Sequence, residues 1–297
     1  MKIEGIKSIR SPSLHETSGV FISVLLAILF SGCQIKESPL TFSAIGDVPY
    51  SDAFADSLRI NLIKFNKHHN SSFLIHLGDI KSGSTPCEET KYQLVADILM
   101  LSEVPVFIIP GDNEYNDCED PKEAFVLWNK YFYHFHENWE VPWETSYQPE
   151  QLENFTWVKN EVLYVGLNLV GGLVHDSSEW DIRLERSANW IGSLLEKDDT
   201  FKAMVVFGHA NMNNAPEKFE LFTDKFRALA ANFKKPILYL HGDGHYWIKD
   251  RPWKEQNIQR VQVDAGARIL HIKIDTKLED PFVFVKSGED ELQKVEP

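Results

Sequence analysis

No dense run of lysine or arginine occurs in the 297 residues, and the formal net charge is −14. A polyanion binder needs a basic patch, so nucleic acid is excluded as a major partner; a small phosphorylated substrate is not. An ordinary membrane-spanning helix needs roughly 20 apolar residues. The apolar run at 20–30 (VFISVLLAILF) has 11. Cysteine is scarce, with three in the chain. No internal repeat and no interdomain linker is visible. What remains is an ordinary globular balance, 43% hydrophobic and 25% charged, enough for a sizeable core in one large domain or two small ones.

The short apolar run suits the core of a secretory signal. Lys2, Lys7 and Arg10 supply a positive flank, opposed by Glu4 and Glu16. Phe30-Ser31-Gly32-Cys33 follows. It resembles a bacterial lipobox, in which small residues precede a Cys that is acylated and becomes the mature N-terminus. On that reading 1–32 is a lipoprotein signal peptide, 33–39 a polar tether and 40–297 the folded domain. The protein is then lipid-anchored in the bacterial cell envelope through Cys33. Gln34 is not the Asp that retains lipoproteins at the inner membrane, which points to the outer membrane or the periplasmic side. A plain signal peptide or a short uncleaved anchor is the alternative. With Cys33 acylated, Cys87 and Cys118 form an even pair in an exported chain and are expected to be a disulfide. It would close a loop of roughly 30 residues and contribute about 3–4 kcal/mol on the chain-entropy account.

From residue 40 apolar strands alternate with amphipathic helices. Strands are expected at 40–45, 72–77, 104–109, 155–159, 162–167, 203–207 and 236–240. Helices are expected at 53–67, with Phe54, Leu58, Leu62 and Phe65 on one stripe, and at 88–101, 121–133, 182–195 and 216–230. This alternation implies βαβ units around a central sheet with outer helices. Three further strands, at 258–263, 269–274 and 282–285, suggest a second sheet packed on the first. Residues 134–154 show no period and read as a long surface loop. Their His134, His136, Trp139 and Trp143 are either a substrate wall or a satellite aromatic cluster.

Five apolar strands end in glycine followed by Asp or His: Gly46-Asp47, Gly78-Asp79, Gly111-Asp112, Gly208-His209 and Gly242-Asp243-Gly244-His245. Open α/β sheets bind ligands beyond the carboxyl ends of their strands, so these groups should converge. Carboxylates crowded together repel, and a divalent cation is the simple remedy.

The order of these motifs resembles the calcineurin-like metallophosphoesterase family over about 41–248. That resemblance implies an α/β fold of two packed mixed sheets flanked by helices, two divalent metal ions, and phosphoester hydrolysis by water activated at a dinuclear metal centre. Carried over residue by residue, the metal ligands are Asp47, Asp79, Asp112, His209, Asp243 and His245, with Asp79 bridging. The chain departs from the pattern at four positions. Pro49 replaces the first-motif His, Asp112 stands for an Asn, Asn113 for the His that assists the leaving group, and Asp243 for a His. The carboxylate-rich set favours Mn, Mg or Fe over Zn. General-acid help is typically worth 10²–10⁴-fold. Without a His at 113, either the substrate has a good leaving group or another residue substitutes. Glu114, His241, Tyr50 and His76 are the neighbours in sequence, with Asp79, Asp112, Glu114 and His241 as the candidate catalytic group. His76 is expected to be a structural histidine and Tyr50 only a minor candidate ligand. Because His241, Asp243 and His245 alternate by two, an extended segment would turn all three to the site. The leading reading is a metal-dependent hydrolase of phosphomonoesters or phosphodiesters acting on a small phosphorylated substrate. The alternative, motivated by Pro49 and Asn113, is a non-catalytic envelope binding lipoprotein that retains the fold.

Overall fold

The computed structural model describes residues 39–286. The expected signal peptide, Cys33 and nearly all of the tether lie outside these residues, as does 287–297.

The elements run β1 (Leu40–Gly46), α1 (Asp52–His68), β2 (Leu74–His76), α2 (Glu89–Leu99), β3 (Val106–Ile108) and α3 (Pro121–Phe132). Then come β4 (Ser146–Gln148), β5 (Gln151–Lys159), β6 (Val162–Gly166), α4 (Ser177–Lys197), β7 (Ala203–Phe207), α5 (Glu220–Phe233) and β8 (Ile237–His241). The last strands are β9 (Ile248–Asp250), β10 (Ile258–Gln262), β11 (Gly266–Ile274) and β12 (Phe282–Lys286).

They form two mixed sheets, one in the order β12-β11-β1-β2-β3 and one in the order β4-β5-β6-β7-β8-β10-β9. β1, β2 and β3 are parallel, as are β6, β7, β8 and β10. All seven residues of β1 and all five of β7 and β8 are buried. That is the signature of parallel strands covered on both faces, and it is why they read as unbroken apolar runs.

Between the sheets lies an aromatic core. Phe42 of β1 and Phe73, just before β2, meet Trp157, Tyr164 and Phe207 of the second sheet. Phe73 and Trp157 are 5.1 Å apart edge to face, and Phe107 and Trp157 stack at 4.3 Å. Rings buried in such pairs add about 0.5–1.5 kcal/mol each beyond their area, so the sheets are held in a defined register. The outer faces are covered by α1, α2 and α3 on one side and α4 and α5 on the other.

Several local expectations need correction. On α1, Ala55 rather than Phe54 joins Leu58, Leu62 and Phe65 inside; Phe54 is 48% exposed. The helix expected at 216–230 begins as a 3-10 turn at Pro216–Lys218, and the α-helix starts only at Glu220. Residues 134–154 are not one loop. They carry a 3-10 turn (Phe135–Asn138), β4 and the start of β5. His136 stacks on Phe107 at 4.3 Å and Trp143 on Trp157 at 5.9 Å, so these rings extend the inter-sheet core and do not form a substrate wall.

Cys87 and Cys118 form a disulfide, with Cα atoms 5.9 Å apart. It joins the segment after β2, which carries Asp79, to the segment after β3, which carries Asp112.

Candidate metal centre

The carboxyl ends of β1, β2, β3, β7 and β8 deliver Asp47, Asp79, Asp112, His209 and Asp243 to one place. The donor atoms of Asp47, Asp79 and His209 lie within 4.8 Å of one another, and so do those of Asp112, His209 and Asp243. His209 Nε2 is 2.8 Å from Asp112 Oδ1 and 3.2 Å from Asp79 Oδ1. His245 is more peripheral. Its side chain is 54% exposed and its Nε2 lies 3.7 Å from Asp47 Oδ1.

Backbone conformation explains how so many short side chains meet. Asp47, Asp79, Asp243 and His245 all have positive φ, at 54°, 60°, 68° and 64°. Left-handed conformations cost non-glycine residues on the order of 1–3 kcal/mol and concentrate at functional sites. The acidic residues thus make most of the sharp turns themselves, with Gly78 (φ 87°) the exception among the strand-end glycines. The glycines mainly permit close approach. A Cβ on Gly78 would lie 2.5 Å from Gly111 N, and one on Gly242 would lie 2.7 Å from Asp47 Oδ2.

Neighbouring residues hold the cluster in place. His209 Nδ1–H donates to Leu77 O at 2.6 Å, which leaves Nε2 facing the two carboxylates. The Asn211 backbone N–H donates to Asp243 Oδ2 at 3.1 Å. Arg260 donates to Asn211 Oδ1 at 2.9 Å and is clamped on Asp250 by two bonds of 2.9 and 2.6 Å. Asn113 N–H donates to Asp79 Oδ1 at 3.0 Å, and its side-chain amide donates to Asp79 Oδ2.

Charge in this site is under-compensated. Burial pushes the Asp47 carboxyl up to about 7, His209 pulls it down, and Asp79 pushes it up again. Burial likewise raises Asp243. Asp112 is below the usual carboxylate range, because His209 outweighs the burial that would raise it. Burial pulls His209 down, but Asp79 and Asp112 together hold it well above an ordinary imidazole. Asp47 Oδ2 is buried with no hydrogen-bond partner among the described residues. A buried unpaired carboxylate oxygen amid further carboxylates is costly, and a cation bound there relieves both desolvation and repulsion. Four carboxylates and two imidazoles are a suitable donor set for divalent metals, so the residues present fit the two ions that the motif order implies.

Tyr50 lies at the centre of one half of the site, closer than its sequence position suggested. Its hydroxyl is 2.6 Å from Asp79 Oδ2, 3.0 Å from His245 Nε2 and 3.3 Å from Asp47 Oδ1. Burial first, then Asp79 and Asp47, raise its pKa far above an ordinary phenol. The signal was its place three residues after Asp47, in a loop that turns back at Asp47.

Two of the four candidate catalytic residues are placed differently from expectation. Glu114 is fully buried, and its carboxylate accepts N–H bonds from Gly111 (2.6 Å), Asp79 (3.2 Å) and Ile80 (3.2 Å). It ties the β2 and β3 loops together; burial, then Asp79, pushes it up to about 7. His241 does not turn to the site with Asp243 and His245. β8 ends at His241, and the left-handed turns at Asp243 and His245 break the extended alternation. Its ring stacks on Tyr239 at 5.1 Å, Nδ1–H donates to Gly242 O at 2.8 Å, and burial lowers its pKa to about 3. His76 is structural in geometry. Nε2–H donates to Val48 O at 2.9 Å, Nδ1 accepts from Gly78 N–H at 3.2 Å, and burial lowers it to about 4.

The sequence profile of the family described as calcineurin-like phosphoesterase matches residues 40–247, well over half the chain. The chain belongs to that family, and its two flanked mixed sheets are the family's sandwich. Similar solved structures include a 5'-nucleotidase from Candida albicans, 12% identical, with a TM-score of 0.52. That alignment covers 83% of this chain and 50% of the other, so this chain spans half the nucleotidase's length. GAP50, described as the anchor in the inner membrane complex of Plasmodium, aligns with a TM-score of 0.50 at 11% identity, over 84% of this chain and 89% of that one. At such identities the likeness is one of fold. No curated protein sequence matches this chain.

Proposed function

We propose that this protein is a metal-dependent hydrolase of phosphoester bonds in small phosphorylated substrates. The observation that carries this reading is the cluster itself: Asp47, Asp79, Asp112, Asp243 and His209 converge at strand ends, with Asp47 Oδ2 buried and unpartnered. Asp47, Asp79, Asp112, His209 and Asp243, with His245 at the edge, are the residues that would hold the divalent ions. Such ions supply Lewis-acid activation of water and neutralise charge on the phosphoryl oxygens. The chain's own residues preset the geometry. Leu77 O fixes the His209 tautomer so that Nε2 is the ligand atom. Asn211 and Arg260 hold Asp243, and Glu114 ties the Asp79 and Asp112 loops.

The test is elemental analysis of the purified protein with phosphatase and phosphodiesterase assays in Mn²⁺, Mg²⁺, Fe²⁺ and Zn²⁺. Near two metals per chain with turnover is expected, and weaker support by Zn²⁺. No bound metal and no turnover with any ion would overturn the reading in favour of a binding protein.

For location, the lipobox-like Phe30–Cys33 segment supports lipid anchoring in a bacterial envelope. Globomycin-sensitive processing is expected, with loss of acylation in Cys33→Ala. Unaltered membrane attachment of that variant would rule the anchor out.

A further inference from the structure

We propose that a cavity at the open edge of the sandwich, beside the metal centre, binds a second anionic group of the substrate, so that the preferred substrates are phosphoesters carrying a further phosphate or carboxylate. This rests on the hydrolase reading above and specifies its substrate class.

The cavity is lined by Trp247, Val263, Asp264, Arg268, Leu270 and Lys286. It lies where two sheet edges meet, since β9 ends one sheet and β12 the other. Its floor is apolar, from Val263 and Leu270, and its mouth is cationic. Lys286 Nζ sits 4.3 Å from the Trp247 ring centroid. Across the gap, Lys249 Nζ of β9 sits 5.0 Å from the ring centroid of Phe284 on β12. Aromatic faces attract such cations, and they hold two flexible side chains with their charged heads at one opening.

The charges do not cancel. Asp264 is the one carboxylate in the lining; it accepts from Lys286 Nζ at 2.8 Å and lies 3.7 Å from Arg268. Lys249 has no carboxylate partner among the described residues. Asp250, its neighbour in β9, points to the other face and is held by Arg260. Three cations therefore face one carboxylate, in a chain whose formal net charge is −14. A group that seeks this opening is an anion, and a charge-assisted bond to Arg or Lys suits phosphate or carboxylate.

Strand order places the opening beside the metal centre. Trp247 follows His245 by two residues. β11 pairs with β1, with Gly266 opposite Gly46 and Leu270 opposite Ala44. Leu270 also pairs with Lys286, so Lys286 stands level with Ala44 two strands away, on the order of 10 Å. Arg268 is two residues nearer the ligand-bearing end and one strand away. A phosphoester bound at Asp47 and Asp79 thus reaches the opening if its second anion lies on the order of 10 Å from the scissile phosphorus.

The test has a kinetic and a binding part. The metal-loaded full-length protein is assayed on hexyl phosphate, hexanediol bisphosphate and the phosphate ester of hydroxyhexanoate. Beyond the statistical factor of two for the bisphosphate, kcat/KM should exceed that of hexyl phosphate by about tenfold or more, through KM. The larger gain of the two dianionic compounds identifies the second group as phosphate or carboxylate. Lys249→Gln with Arg268→Gln should bring the ratio towards one. In the metal-free protein, where the Asp cluster repels anions, calorimetry should detect inorganic pyrophosphate, and the double variant should lose it. Equal kcat/KM on the three esters, with no pyrophosphate binding, would overturn the proposal and leave the hydrolase reading standing. Pyrophosphate binding that tightens tenfold on removal of 287–297 would overturn it in favour of the chain's own Glu289, Asp290 and Glu291 as the occupant. Pyrophosphate binding without turnover of any phosphoester would sink the hydrolase reading and the substrate assignment with it.

Discussion

The two halves of the candidate centre are built in opposite ways. Around His209, Asp112 and Asp243, both imidazole nitrogens and one oxygen of each carboxylate have a fixed partner. His209 is fully buried, and Asp243 leads through Asn211 and Arg260 to Asp250. Around Asp47 and His245 the site is incomplete. Asp47 Oδ2 has no hydrogen-bond partner among the described residues, His245 is largely exposed, and Tyr50 is the hub of three contacts. One half is assembled by folding; on the proposed reading the other is completed by a cation. Catalytic sites are usually held by neighbouring hydrogen bonds, and here that support is concentrated on one side.

Asp79 is the residue shared by both halves, since its oxygens touch His209 on one side and Tyr50 on the other. Asp79→Asn should therefore have the largest effect, removing what is, on the proposed reading, an anionic ligand shared by the two ions. We expect metal affinity to fall by about 100-fold or more and bound metal to drop well below two per chain in elemental analysis. Unchanged metal content in this variant would mean that the two halves do not share a ligand.

The contrast between halves is sharpened by comparing His209→Ala with His245→Ala. The first leaves Asp79 and Asp112 facing one another without the imidazole that now lies between them. Breaking a buried charged contact costs about 3–5 kcal/mol, which lowers Tm by on the order of 10 °C in a domain of this size. His245→Ala removes an exposed ring and should change metal-free stability by no more than about 0.5 kcal/mol, while still weakening metal binding. Thermal melts with and without chelator distinguish these outcomes. Equal destabilisation by the two variants would remove the asymmetry between the halves.

Much of this centre was legible because its candidate ligands follow glycine at the ends of apolar strands, and parallel strands buried on both faces read plainly as apolar runs. Asp47, Asp79, Asp112 and His209 could be located in that way. The support around them could not. The carboxylate of Glu114 serves three backbone N–H groups from two separate loops, a pairing that exists only once β2 and β3 are adjacent. Asn211, Gln262 and Arg260 form a network across β10 and the loop after β7, with no spacing to reveal it. His241 was misjudged for a definable reason. Period-two reasoning assumes an extended chain, and positive φ at Asp243 ends that extension two residues later. Phe54 was misplaced because Ala55, a small residue, is the one that fits against the sheet.

The smallest expected effect is a pH dependence of metal stabilisation, which separates the open half from the braced one. In the metal-free protein the Asp47 carboxyl is raised from 3.8 to about 7, mainly by burial. An acid raised on folding contributes stability at low pH, and that contribution is lost as pH climbs through the window from 3.8 to about 7. A metal requires the same group deprotonated, so below pH 7 binding must displace its proton. The apparent affinity should then weaken about tenfold for each pH unit below 7 for that proton alone. His76 and His241, lowered to about 4 and about 3, pull stability the other way on acidification. They do so with or without metal and cancel in the difference. The Mn²⁺-induced shift in Tm should therefore grow from pH 5.5 to pH 8. Asp47→Asn should reduce that growth, since it removes the proton that competes on the open side. A Mn²⁺ shift that is constant across this range would show that Asp47 is already ionised before metal arrives, and the open half would then be as preset as the braced one.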